Sequence, residues 1–239
     1  MSKKAINQNT NYVTEFINFI DINFLYNEKP IKRLKNKALI NSDQIQNKKE
    51  ELIKLKDKLN AIENCKLKKN SNKTILGNGN LNSPIIFVGG TPDENDEKSG
   101  NTFEGQIGEL FTKMLSAINI ERKKIYTCYA INFRPPFDRK PTTSEIKRYS
   151  SFLQNHISII NPKIIILLGS TAMEAVTGLN SKISNERGKW KEIILKNKTF
   201  PLMITFSPSY LIRFPENKKY SWEDLKKIKQ KIKDLNLKI

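Results

Sequence analysis

The second half of the chain consists of short apolar runs that alternate with longer amphipathic segments. Four of these runs have the length and continuous apolar character of strands buried on both faces. They occupy residues 84–90, 125–131, 163–168 and 200–206. In the segments between them, apolar positions recur every three or four residues, which is typical of helices that pack one face on a sheet. The alternation predicts a three-layer α/β/α fold around a central, mostly parallel sheet of four strands.

Three long helices are predicted in this half. The first carries Ile107, Leu110, Phe111, Met114, Leu115 and Ile118 on one face. The second is predicted to begin at Thr142, because Thr142 and Glu145 have the spacing of a capping box. His156 falls on the apolar face of this second helix, so we interpret it as a packing residue rather than a catalytic one. The third helix is predicted over residues 221–235.

The first part of the chain has a different pattern. Residues 1–83 predict an N-terminal helical extension that ends in a loop, and residues 84–239 predict the α/β domain. An apolar segment at 16–24 belongs to the extension. Ser42 is predicted to cap a helix rich in Lys and Glu, whose apolar stripe we expect to pack on its own domain. A partner-binding coiled coil is the alternative. The polar, glycine-bearing segment 68–82 is predicted to be the loop.

Small and polar residues follow each of the four predicted strands. Ligands of parallel α/β sheets bind beyond the carboxyl ends of the strands, where the connecting loops meet. The segments at these ends are Gly89-Gly90, Asn132-Phe133-Arg134, Gly169-Ser170 and Ser207-Pro208. Neither a P-loop motif nor a Gly-x-Gly-x-x-Gly motif occurs in the sequence, which argues against an unrelated nucleotide-binding protein. We therefore expect the function to lie in these four segments.

The charge of the chain adds a candidate partner. Lys and Arg number 42 against 24 Asp and Glu, so the formal net charge is +18. Such an excess suits a polyanion, because each neutralised phosphate releases condensed counterions. The alternative is a genome with a strong compositional bias, since Lys, Asn and Ile are abundant throughout the chain. Charge alone leaves both interpretations open.

The small number of metal-ligating side chains limits the possible chemistry. The chain has two cysteines, Cys65 and Cys128, and one histidine, so a structural zinc site with four such ligands is excluded. No apolar stretch is long enough to cross a membrane, and the first residues lack the apolar core of a secretory signal. We therefore expect a cytoplasmic protein with reduced thiols, no metal and no membrane partner, and we expect it to be a monomer.

Several short motifs lie at the strand ends and in the loops that follow. The first is Val88-Gly89-Gly90-Thr91-Pro92-Asp93, with Asp96-Glu97, Gly100, Phe103 and Gly105 after it. The second is Arg134-Pro135-Pro136-Phe137-Asp138-Arg139-Lys140-Pro141, with Glu145. The others are Leu168-Gly169 with Ala172, Arg187-Gly188, and Pro208 with Tyr210-Leu211 and Arg213. In order and spacing, this set resembles the motifs of the type-4 uracil-DNA glycosylases.

The resemblance implies the family's α/β fold, DNA as the partner, and hydrolysis of the bond between a flipped base and its sugar in base-excision repair. By motif position, the base pocket would comprise Gly89, Gly90, Thr91, Pro92, Phe103, Tyr129 and Ser207. The ring of Phe103 would stack on the base; its alternative role is that of a buried loop anchor. The residues that would bind DNA are Arg134, Ser170, Thr171 and Arg213. For these the alternatives are an ordinary helix start and surface arginines.

Three active-site positions depart from the family pattern. The family's carboxylate falls on Gly90, its base-reading asparagine on Tyr129, and the histidine of its last motif on Ser207. Gly cannot polarise water, Tyr cannot present the paired donor and acceptor of an amide, and Ser cannot donate as a cation. Asp96 remains as the candidate catalytic carboxylate, with Asp93 beside it. The alternative is that both are solvated loop acids.

The resemblance also implies an iron–sulfur cluster, which requires four thiolate ligands. Of the four ligand positions only one is a cysteine, Cys65; the others are Ile62, Phe133 and Tyr149. Cys128 lies in the second predicted strand and not at a ligand position. We therefore expect no cofactor, with packing in place of the cluster.

Two functional hypotheses follow. The first is a DNA-repair enzyme that removes uracil or another lesion with a rebuilt pocket. The second is a non-catalytic descendant that binds nucleic acid or a partner protein. The replaced pocket residues favour the second hypothesis on chemical grounds, and the retained scaffold motifs favour the first.

Overall fold

A computed structural model of the chain describes the backbone of residues 37–239 and the side chains of residues 43–239. Within it, residues 42–239 form one compact unit. The apolar segment predicted at 16–24 lies outside the described residues.

No helix in the described part of the chain is long and apolar enough to cross a membrane. The domain boundary placed before residue 84 concerns independent folding and stays a prediction.

Strands and helices alternate along the described chain. The strands are β1 (Gly77–Gly79), β2 (Ile85–Gly89), β3 (Tyr126–Tyr129), β4 (Ile164–Leu168), β5 (Trp190–Leu195) and β6 (Lys198–Thr205). The longer helices are α1 (Lys37–Asn60), α4 (Gly105–Ala117), α5 (Thr143–Ile160) and α9 (Lys218–Asp234). The shorter helices are α2 (Lys66–Asn70), α3 (Glu94–Ser99), α6 (Ser170–Thr177), α7 (Ile183–Glu186) and α8 (Pro208–Arg213).

The strands form one sheet in the order β1-β3-β2-β4-β6-β5. The four predicted strands are β2, β3, β4 and β6, and they are parallel neighbours at the centre. The prediction of a four-stranded sheet is wrong, because β1 and β5 add an antiparallel strand at each edge. Strand β1 has only three residues, Gly-Asn-Gly, and pairs through its backbone, so it has no apolar pattern. Strand β5 is partly exposed along most of its length, and a two-residue turn joins it to β6.

The two faces of the sheet are covered by different helices, which confirms the three layers. Alternate residues of the central strands point to opposite faces, so Ile86 and Val88 join one core, and Ile85 and Phe87 the other. The first core is closed by α1, α5 and α6, and the second by α4, α8 and α9. Because both faces are buried, β2 and β4 are apolar at nearly every position.

Helix boundaries follow from local capping in some places and not in others. Thr142 caps α5 through the predicted capping box, with Glu145 as its partner. Ser42, by contrast, lies inside α1, which the structure describes from Lys37 onward, so its prediction as a cap is wrong. The apolar stripe of α1 packs on its own domain through Leu52, Leu55 and Leu59. The segment 68–82 is not entirely a loop, because it contains the end of α2 and all of β1.

The single histidine is a buried core residue, as its position on the helix predicts. His156 is 1% exposed, and its Nε2 lies 2.9 Å from the hydroxyl of Tyr126. Burial lowers the pKa of His156 to about 4, so the ring is neutral at pH 7. The unfolded chain binds this proton near pH 6.5. As the pH falls from about 6.5 to 4, the unfolded state therefore gains protons before the folded state does, and the fold loses stability.

We expect the double variant His156→Leu with Tyr126→Phe to weaken this acid sensitivity. Between pH 7 and pH 4.5 it should lose about 2 kcal/mol less unfolding free energy than the parent. Urea unfolding at the two pH values measures the difference. Tyr126→Phe alone is the matched control, because it keeps the histidine and its pH dependence. An unchanged pH dependence in the double variant would contradict this assignment.

Candidate functional site

A cavity of about 540 Å³ opens at the carboxyl edge of the parallel strands. It is lined by all the residues predicted for the base pocket: Gly89, Gly90, Thr91, Pro92, Phe103, Tyr129 and Ser207. The candidate carboxylate Asp96 also lines it, as do three of the predicted DNA-binding residues, Ser170, Thr171 and Arg213. The topology thus collects residues from four separate strand ends at one place.

The end of β2 brings the backbone against two aromatic rings. Gly89 pairs with Tyr129 across the sheet. A Cβ on Gly89 would lie 2.6 Å from the Tyr129 ring and 2.7 Å from the Phe103 ring, too close for any side chain. Gly90 is less confined, since a Cβ there would lie 3.1 Å from the Cβ of Thr171. Only glycine therefore fits at position 89, whereas position 90 can accept a larger residue after a small shift.

Tyr129 fills the space between the end of β2 and the loop that follows α3. Its ring is 3% exposed and contacts Phe103 at a centroid distance of 5.0 Å. Its hydroxyl donates to Oδ2 of Asp96 over 2.7 Å and accepts from the backbone N–H of Phe103 over 2.9 Å. Phe103 also stacks on Phe111 at 4.6 Å and is 5% exposed. The face that the resemblance assigns to a flipped base is therefore in contact with Tyr129.

Asp96 is a buried carboxylate, 2% exposed, with donors on both oxygens. Oδ1 accepts from the backbone N–H of Glu104 over 2.8 Å, and Oδ2 accepts from that of Asp93 over 2.9 Å and from Tyr129. Burial raises the pKa of Asp96 to about 6, although these three hydrogen bonds oppose the rise. At pH 7 the group is mostly an anion, held at the wall of the cavity.

The other acids of the first motif are placed differently. Asp93 caps α3, with Oδ1 accepting from the N–H of Asp96 over 3.0 Å, and it lines the cavity. Glu97 does not line the cavity. Its carboxylate instead accepts from the hydroxyl of Ser71 and the N–H of Asn72, each over 2.7 Å. Of the first motif's acids Asp93, Asp96 and Glu97, the first two therefore line the cavity.

Ser207 and Gly169 bring the ends of β4 and β6 close together. Ser207 caps α8, accepting from the N–H of Tyr210 over 3.2 Å. Gly169 has φ +94°, and a Cβ there would lie 3.1 Å from the Cβ of Ser207. The hydroxyl of Ser207 lies 3.0 Å from that of Ser209. This side of the cavity therefore presents hydroxyls.

Arg134, the first residue of the second motif, does not line the cavity. Arg134 binds both oxygens of Asp138 over 2.8 and 3.0 Å and lies 3.5 Å from the carboxylate of Glu97. The basic residues that do line the cavity are Arg139, Lys140 and Arg213. Arg139 and Lys140 were not among the predicted site residues, although both belong to the motif that contains Arg134. The cavity also has four other lining residues that were not predicted: Asp138, Ile183, Phe206 and Tyr210.

The four positions that the resemblance assigns to an iron–sulfur cluster lie in one corner of the first core. The thiol of Cys65 is 2.9 Å from the hydroxyl of Tyr149, and the rings of Tyr149 and Phe133 contact each other at 6.0 Å. Ile62 packs against the same core. One thiol beside a phenol and two apolar side chains cannot ligate four irons, so these residues do not fit the cluster.

Comparisons with known proteins agree with this geometry. The family model of the uracil DNA glycosylase superfamily matches residues 76–229. The chain belongs to this superfamily. A type-4 uracil-DNA glycosylase of Thermotoga maritima is 36% identical, covering 77% of this chain and 97% of that protein. One from Sulfurisphaera tokodaii is 34% identical over 75% of this chain and 84% of its own length. The resemblance to the type-4 members is confirmed.

We expect Tyr129→Phe to lower the stability of the fold while the ring at position 129 still lines the cavity. The variant keeps the ring but leaves Asp96 and the N–H of Phe103 each short of one partner, which should cost about 1–3 kcal/mol of unfolding free energy. The pKa of Asp96 should rise further, because the Tyr129 hydrogen bond lowers it. A raised carboxyl pKa makes the folded state bind protons more tightly, so stability falls as the pH rises through that pKa.

The loss of stability with rising pH should therefore extend to higher pH in Tyr129→Phe than in the parent. Urea unfolding at pH 5, 6.5 and 8 measures it. Tyr126→Phe is the matched control, since it removes another buried hydroxyl that does not contact a carboxylate. Parallel pH profiles for Tyr129→Phe and the parent would show that the hydroxyl does not govern Asp96.

Proposed function

We propose that the protein is a uracil-DNA glycosylase of base-excision repair that receives a flipped base in the cavity at the carboxyl edge of the sheet. The observation that carries this proposal is the convergence of every predicted base-pocket residue on that cavity. The relatives named as type-4 uracil-DNA glycosylases and the cationic rim of Arg139, Lys140 and Arg213 support it. A net charge of +18 further supports binding to DNA phosphates.

The reaction would break the bond between the anomeric carbon of the sugar and the base nitrogen. The base leaves as an anion with the bonding electrons, a water oxygen bonds to the anomeric carbon, and the proton that this water loses is finally taken up by the base. The anions of Asp96 and Asp93 can stabilise the positive charge that develops on the sugar and orient that water. The hydroxyls of Ser207 and Ser209 can donate to the departing base, but they remain neutral donors. We therefore propose slow turnover.

A second candidate is a non-catalytic descendant that binds nucleic acid. One observation favours it: the ring of Tyr129 lies against Phe103, where the flipped base would stack. A base could stack on Phe103 there only if Tyr129 moves, which breaks its hydrogen bonds to Asp96 and Phe103. The two candidates differ in whether any base is released.

Excision assays on uracil in single- and double-stranded DNA, with abasic sites cleaved by alkali, distinguish these candidates. We expect slow excision by the parent and further loss in Asp96→Asn. The triple variant Gly90→Glu, Tyr129→Asn, Ser207→His should gain at least about 100-fold, since one preorganised group is typically worth about 100- to 1,000-fold in rate. His156→Leu is the control, because that residue lies in the core, outside the cavity. No excision by either the parent or the triple variant would favour the non-catalytic candidate.

We also propose that the protein carries no iron–sulfur cluster. Protein purified without oxygen should contain no stoichiometric iron and should show no absorbance band at about 400 nm. The variant Ile62→Cys, Phe133→Cys, Tyr149→Cys restores four thiols with Cys65 and serves as the positive control for cluster insertion. Stoichiometric iron in the parent would overturn this proposal.

We propose that the protein acts as a monomer in the cytoplasm. Both cysteines are buried and free, which suits a reducing compartment.

A further inference from the structure

One lysine of the described residues lines the cavity, and its amine is not engaged by the fold. Lys140 is exposed, and within the part of the chain that the structure describes its amine makes no hydrogen bond and no ion pair. The amine of Lys48, by contrast, donates to three acceptors in the body of the domain. A lysine amine that is free inside a cavity can act as a nucleophile as well as a cation.

The backbone that carries Lys140 is fixed on both sides. Before it, Arg139 binds both oxygens of Glu145 over 2.8 and 2.6 Å and also donates to the carbonyl of Lys140 over 3.2 Å. After it comes Pro141, which is buried, and a residue that precedes proline is held to extended conformations. The base of the side chain is therefore held in place, while its four-carbon stem can turn toward a ligand.

The acids of the cavity leave this amine unpaired. Asp138, two residues before it, is bound through both carboxylate oxygens by Arg134, over 2.8 and 3.0 Å. Asp93 and Asp96 line the same cavity from the segment after β2. Burial raises the pKa of Asp96 to about 6, so at pH 7 it is mostly an anion and a stronger base than an ordinary carboxylate. One cavity thus contains a free amine and carboxylates that can accept a proton.

The product of base excision reacts with amines. Once the base has left, the deoxyribose of the abasic site is in equilibrium with an open form that carries an aldehyde at C1′. Lysine amines condense with carbonyl groups to form Schiff bases. An aldehyde formed in this cavity of about 540 Å³ would share it with the amine of Lys140.

We propose that Lys140 is the nucleophile of a second activity, the cleavage of a DNA strand at an abasic site by β-elimination. The inference rests on the proposed function only in requiring that the abasic sugar of DNA enters this cavity. It goes beyond that function, because hydrolysis of the base–sugar bond leaves the strand intact.

The steps need water and no other reagent. The amine nitrogen of Lys140 bonds to C1′ of the open sugar, and water leaves, so that a protonated Schiff base forms. The proton on C2′ then passes to a carboxylate of the cavity, Asp93 or Asp96. Its C–H electrons form the C2′–C3′ double bond, and the phosphate leaves C3′ with the C–O bonding electrons. Water finally hydrolyses the imine, which releases an unsaturated aldehyde and returns the free amine.

The test supplies DNA whose abasic sites are prepared beforehand, so it does not depend on uracil excision by this protein. Sodium borohydride reduces a Schiff base to a stable amine, so the parent should become covalently joined to the DNA. At saturating DNA, Lys140→Arg should give at least about 10-fold less adduct, because a guanidinium keeps the charge but stays protonated. Lys147→Arg changes an exposed lysine of α5 outside the cavity and is the matched control, with the yield of the parent.

Two further readouts separate a nucleophile from a phosphate contact. Mass spectrometry of the trapped protein, after nuclease digestion, should place the reduced sugar on Lys140. Without borohydride and at neutral pH, the parent should cut the abasic strand faster than it breaks spontaneously, and Lys140→Arg should not. A lysine that only contacts phosphate would give neither the adduct nor the cut.

The outcomes also separate this inference from the proposed function. No adduct with the parent, equal adduct with Lys140→Arg, or attachment of the sugar to another amine would overturn the strand-cleaving activity of Lys140. Uracil excision by a parent that traps no abasic DNA would overturn this inference alone. Trapping at Lys140 by a parent that excises no uracil would support the inference and count against the proposed glycosylase.

Discussion

The carboxylate of Asp96 joins the start of α3, the loop before α4 and the end of β3. Its oxygens accept hydrogen bonds from the N–H of Asp93, which caps α3, and from the N–H of Glu104, which precedes α4. They also accept one from the hydroxyl of Tyr129 at the end of β3. The wall of the cavity therefore depends on one buried acid. Removing any one partner would leave a desolvated charge short of a hydrogen bond, which is far more costly than losing a bond at the surface. This constraint explains why Asp96 can be both a structural centre and the best candidate for the chemistry.

Two of the residues that depart from the family pattern, Gly90 and Tyr129, can be understood together with Asp96. An asparagine at position 129 could read a base but could not reach as far as a phenol; Tyr129 instead connects Asp96 to the backbone of Phe103. With Gly90 in place of a carboxylate, the acids that line the cavity are Asp93, Asp96 and Asp138, of which Asp138 is paired with Arg134. Tyr129, at the position that the resemblance assigns to a base-reading asparagine, thus supplies a hydrogen-bond partner for Asp96.

The sequence predicts the centre of the fold better than its edges or its ion pairs. Strands such as β2 and β4 are buried on both faces, so their composition is unmistakably apolar. Strand β1 is held by backbone pairing of Gly-Asn-Gly, which leaves no side-chain pattern to find. Motif position predicted the residues that line the cavity. It did not predict the contacts of Arg134, because the direction of that side chain depends on Asp138 and Glu97 rather than on its place after a strand.

The corner formed by Ile62, Cys65, Phe133 and Tyr149 also bears on how the protein matures. Its parts meet through side-chain contacts alone, with a thiol and a phenol at hydrogen-bonding distance. Without a cluster, as proposed above, such a corner would assemble as the chain folds, with no separate step to deliver a cofactor. Its persistence would then depend neither on the supply of iron nor on protection from the oxidants that destroy iron–sulfur clusters. A repair protein built this way could be made and kept when iron is scarce.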